Sequence, residues 1–132
     1  MELSQFRHFD LLWLKELSFH ETKMLNTFIR SFLTHMPNML TELREATQEQ
    51  SFDKVSKAIR NVSSVASLFT QKDYGNSFLI MHNKEEQLSQ HTIEKVNSIV
   101  KELEVLQMEV AHYHYQQLES THQSNRLAHS HP

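Results

Sequence analysis

The chain contains no cysteine, so neither a disulfide framework nor a thiolate metal site can form, and thiols give no hint of a redox compartment. It has one glycine and two prolines in 132 residues. That is too little turn chemistry for a many-stranded sheet, and with abundant Leu, Met, Glu, Gln and Lys it favours long helices joined by few loops. No basic stretch followed by a long apolar stretch stands near the N-terminus, so export through a signal peptide is not expected. The longest strictly apolar runs, such as Leu11 to Leu14 and Phe78 to Met81, fall far short of the roughly 20 residues that cross a bilayer. A basic stripe for a phosphate backbone is also missing: acidic and basic residues interleave around a net charge of -3, which makes nucleic acid a poor partner. These absences lead to the expectation of one soluble, cytoplasmic, all-α domain. What the chain has in excess is histidine, ten in all, whose protonation below neutral pH would carry the net charge upward through zero.

Apolar spacing predicts five helices. The first runs through Leu3, Phe6, Phe9, Leu12 or Trp13 and Leu17. Ser18-Phe19-His20-Glu21 has the form of a capping box that would open the second. The second carries a stripe of Leu25, Phe28, Ile29, Phe32, Leu33, Met36, Leu40 and Leu43 that keeps phase across Pro37, which predicts one kinked helix from about 19 to 48 rather than a break. Ser51 is the expected cap of a third helix burying Val55, Ile59, Val62, Val65 or Ala66, and Phe69, and ending in the 72–76 segment that holds the only glycine. A fourth helix carries Phe78, Leu79, Met81 or His82, and Leu88. After a weak break at 90–92, a fifth carries Ile93, Val96, Ile99 or Val100, Leu103, Leu106 or Gln107, and Val110, and reaches about Leu118. From Glu119 to Pro132 the apolar pattern stops, and that tail is expected to fray, leaving a domain over 1–118.

The succession Phe32-Leu33, Pro37, Leu40 and Leu43, then Phe52, then Ala58-Ile59-Arg60-Asn61-Val62-Ser63-Ser64-Val65, resembles the histidine phosphotransfer (HPt) domain of phosphorelays. The likeness covers about 25–104 and aligns without a gap on the family's Ala-x-His-x-Leu-Lys-Gly-Ser signature. It implies an up-down four-helix bundle, here with an additional N-terminal helix. Apolar positions of the signature are kept in character, whereas its chemical positions are replaced: Arg60 stands for the phospho-accepting histidine, Ser63 for lysine and Ser64 for glycine. A guanidinium stays protonated and has no free lone pair with which to attack an aspartyl phosphate, so Arg60 cannot carry the phosphoryl group.

Positions 60, 63, 64, 67 and 71 follow helical spacing, so Arg60, Ser63, Ser64, Ser67 and Gln71 are expected to share one face. In the family that face docks a receiver domain. The resemblance therefore implies a non-catalytic HPt module that binds a response-regulator receiver domain, or a histidine kinase, without carrying phosphate. The rival is that Arg60 is one solvated charge on an ordinary helix surface. Two further readings stay open: an active phosphotransfer protein using another histidine, with His82 and His35 as candidates, and a helical scaffold that dimerises through its long fifth helix.

Glu109-x-x-His112 and Glu119-x-x-His122 have the spacing used in di-iron bundles, but both lie on one segment where such sites need two helices. No phosphate loop, nucleophile elbow or metal constellation can be assembled. The chain is thus expected to have no catalytic residues, no cofactor and no metal, and to be a monomer or weak dimer.

Overall fold

A computed structural model describes residues 6–81 and 84–129, with side chains at 6–79 and 84–120. It is all-α: α1 (Leu11–Leu17), α2 (Thr22–Gln48), α3 (Phe52–Ala66), α4 (Tyr74–Met81) and α5 (Gln90–His129), with no strand among the described residues. α2 packs along both α3 and α5, and α4 packs on α3. None of the helices is long and apolar enough, over the described residues, to cross a membrane.

α2 crosses Pro37 without interruption, as its stripe predicts: Leu25, Ile29, Phe32, Met36, Leu40 and Leu43 are all buried while Pro37 is exposed. The pyrrolidine ring removes one helical donor but takes no core space, and the apolar face on the other side holds the two halves in phase. In α3 the Ser51 hydroxyl accepts the Lys54 amide at 3.3 Å, and Val55, Ile59, Val62 and Ala66 are buried. Phe69, just beyond the helix, packs on Phe32 with ring centroids 4.3 Å apart and the rings tilted by 37°. In α5 the expected positions Val96, Ile99, Val100, Leu103, Leu106 and Val110 are buried.

The boundaries differ from the spacing in four places. First, α1 begins at Leu11, not near residue 3, and Leu3 lies outside the described residues. Residues 6–10 are not helical because the amides of Arg7, His8 and Phe9 all donate to one carboxylate, that of Glu109 on α5. Phe9 still reaches the core from this irregular segment, against Phe69 and Tyr113. Second, the Ser18–Glu21 capping box does not form. Ser18 is fully buried, its hydroxyl donates to the Lys15 carbonyl, and it terminates α1. The chain then reverses through Phe19 and His20 at φ 55° and 57°, so α2 starts only at Thr22.

Third, α3 stops at Ala66, and Gly75 lies inside the first turn of α4 rather than in a loop. Asp73 opens that helix, its carboxylate accepting the Asn76 amide at 3.0 Å. Leu88, expected on the fourth helix, lies in the connection to α5, where it is buried and its amide donates to the Gln50 side chain. Fourth, α5 opens at Gln90, inside the expected 90–92 break, with the Ser89 hydroxyl accepting the Thr92 amide at 3.2 Å, and it runs past Leu118 to His129, through residues whose composition predicts fraying. The remaining tail residues, 130–132, lie outside the described residues.

Candidate docking surface

The middle of α3 presents Arg60 to solvent. Its neighbours on the inner side, Ile59 and Val62, have no exposed surface, so the helix is pinned by its apolar face and the orientation of Arg60 is set by that packing.

Ser63 is half-buried and engaged. Its hydroxyl accepts the Gly75 amide at 3.1 Å and lies 3.4 Å from an Asp73 carboxylate oxygen, to which it donates. A Cβ on Gly75 would stand 3.3 Å from that hydroxyl, so the close approach of α4 to α3 rests on a residue without a side chain. The smallness of Ser63 therefore serves helix packing within the molecule. Ser64 is exposed, and its carbonyl accepts the Ser67 hydroxyl at 2.8 Å. Ser67 lies just past the end of α3, where its own carbonyl accepts the indole N–H of Trp13 at 2.8 Å. Gln71 is off the helix altogether, yet its amide returns to the same side by donating to Asp10 at 2.8 Å.

All five residues line one open groove of about 560 Å³, whose rim includes half-buried Trp13 and exposed Leu79. Helical spacing brings Arg60, Ser63 and Ser64 together, and the turn after α3 adds Ser67 and Gln71. Spacing alone misses the opposite walls. Asp10-x-x-Trp13 is an N-cap pattern readable in the sequence, since the Asp10 carboxylate accepts the Trp13 amide at 3.0 Å. Nothing local, however, indicates that Trp13 would reach Ser67.

The charges of the groove are mostly committed. Asp10 uses one oxygen on the start of α1 and the other on Gln71. Asp73 accepts from the backbone and side-chain amides of Asn76. The Lys72 ammonium is held by both oxygens of Glu102, at 2.7 and 2.8 Å, and lies 5.2 Å from the centre of the Tyr74 ring. Arg60 has no ion-pair partner among the described residues.

Among the described residues no histidine lines this groove. His35 is exposed on α2, and His82 lies outside the described residues. In the Glu109-x-x-His112 pair the Glu109 carboxylate is turned to the N-terminal amides. Among the described residues no three His, Asp or Glu side chains gather to hold a metal ion. Comparison of the chain with protein-family models, with curated proteins and with solved structures finds no match.

Proposed function

We propose that this chain is a non-catalytic HPt-like module, a helical bundle that binds a receiver domain through the α3 groove and does not carry phosphate. The observation that carries the reading is an exposed Arg60 at mid-helix, unpaired among the described residues and flanked by the small residues Ser63 and Ser64 in an open groove. A receiver domain offers an acidic pocket beside its phosphorylatable aspartate. A permanent guanidinium fits that pocket by charge and by bidentate geometry, and it supplies no nucleophile to take the phosphoryl group. Trp13 and Leu79 add apolar surface at the rim, the kind of contact that anchors a small interface around a central charge.

Binding of a panel of isolated receiver domains, measured by calorimetry with Arg60→Ala alongside, tests this. The expected result is saturable binding to at least one receiver, weakened about tenfold or more by the substitution, equivalent to ~1.4 kcal/mol. Incubation with a phosphorylated receiver should leave no acid-labile phosphate on the chain. An absence of binding across the panel, or binding indifferent to Arg60→Ala, would show the proposal to be wrong.

A further inference from the structure

The C-terminal half of α5 carries a second surface, on a different face from the α3 groove. Val110 and Tyr113 turn into the core, whereas Met108, Ala111, Tyr115 and Leu118 are all exposed on the outer side, Met108 at 71% and Tyr115 at 62%. Their spacing of three, four and three residues is that of a two-helix seam, with Met108 and Tyr115 at one set of core positions and Ala111 and Leu118 at the other. Four apolar positions in seam register on a helix that continues to His129 are not explained by packing within the chain.

We infer that this face is a self-association surface on which a second copy of the chain packs antiparallel, about a two-fold axis level with residue 113. Three features select a second copy. The seam is size-complementary to itself: Ala111 and Tyr115 lie two residues either side of 113, so an antiparallel partner sets the large ring of each copy against the small side chain of the other. Met108 and Leu118 lie five residues either side. Beside Met108 is a groove of about 320 Å³, also lined by Pro37, Leu40, Thr41, Gln107 and the Arg44–Glu104 ion pair, whose apolar side can take the exposed Leu118 of the second copy. The same register brings His112 of one copy within reach of Glu119 of the other along one flank, twice by symmetry. One Glu119 oxygen already accepts the Tyr115 hydroxyl at 3.0 Å, which stiffens the ring within the seam. A parallel pairing would put Tyr115 on Tyr115 and leave Ala111 facing Ala111, one crowded layer and one empty one.

Sedimentation equilibrium of the full chain at about 100 µM, a concentration that populates a micromolar dimer, should give twice the 15.6 kDa monomer mass. Leu118→Glu and, separately, Met108→Glu should return it to the monomer mass with the helical circular dichroism unchanged. Because the chain has no cysteine, Met108→Cys and Leu118→Cys give single-thiol proteins. Mixed and oxidised, they should form the 108–118 disulfide in preference to either like pair. A monomeric wild-type chain would overturn the inference and leave the face to some other occupant. A dimer untouched by either glutamate, or preferential like-pair disulfides, would overturn it as well. None of these results depends on whether a receiver binds the α3 groove.

Discussion

Removing the Glu109 carboxylate should loosen one wall of the α3 groove from a distance. One oxygen accepts the His8 and Phe9 amides at 2.8 and 3.1 Å and the other accepts the Arg7 amide. A hydrogen bond to a charged acceptor is worth about 1.5–3 kcal/mol when sequestered. Here three share a single half-buried carboxylate and Arg7 is exposed, so water recovers part of the loss. For Glu109→Ala the expected cost is about 2–3 kcal/mol. Glu109→Gln keeps an oxygen for His8 and Phe9 but turns an NH₂ group against the Arg7 amide, so its cost should be about half as large. Urea unfolding measures both, followed by circular dichroism and by the emission of Trp13, the only tryptophan. Since the segment leads directly into Asp10 and Trp13, the folded baseline of Glu109→Ala should also shift to the red. Glu104→Ala is the control: its pair with Arg44 at 3.2 Å is about half exposed on both sides and should be worth less than ~0.5 kcal/mol. If Glu109→Ala proved as mild as that control, the account of the N-terminal segment would be refuted.

Tyr74 is buried with a hydroxyl that finds no partner among the described residues, and burial, reinforced by Glu102, pushes its pKa up to about 12. Below pH 10 the ring is neutral in the folded and the unfolded chain. Between pH 10 and about 12 only the unfolded chain ionises, so stability should fall by about 2–3 kcal/mol across that window. Tyr74→Phe should remove most of this alkaline loss and, at pH 7, be neutral or stabilising by about 1 kcal/mol, as chemical denaturation at the two pH values would show. Ser51→Ala should cost about 1 kcal/mol in the same assay through loss of the α3 cap. Gly75→Val should lower stability by about 1–3 kcal/mol because its branched side chain meets Ser63; an unchanged melting temperature would contradict the close contact of α4 with α3.

What could be read from the sequence was whatever repeats along a helix. Leu33, Met36, Leu40 and Leu43 carried α2 across Pro37, and Val55, Ile59 and Val62 fixed which side of α3 faces out, and therefore where Arg60 points. What could not be read depends on partners far along the chain. Phe6 and Phe9 are three apart and look helical, but the 7–9 amides are taken by a residue about a hundred positions away. Ser18 has the right neighbours for a cap, yet it is buried at the end of the preceding helix. Gly75 suggests a loop until Ser63 is seen against it. Of the groove, the α3 wall was legible, whereas Trp13, Asp10 and Leu79 arrive through tertiary contacts that no local spacing encodes.

The Glu109 contact also imposes an order of assembly. It joins residues separated by 100 to 102 positions, whereas α2, α3 and α4 meet through connections of a few residues. Short closures are favoured early and long ones late. The Glu109 contact is therefore expected to close after α2, α3 and α4 have met. In a stopped-flow refolding experiment, Trp13 should reach its native emission after most of the helical signal has returned, so a partner that needs the complete groove meets only finished molecules.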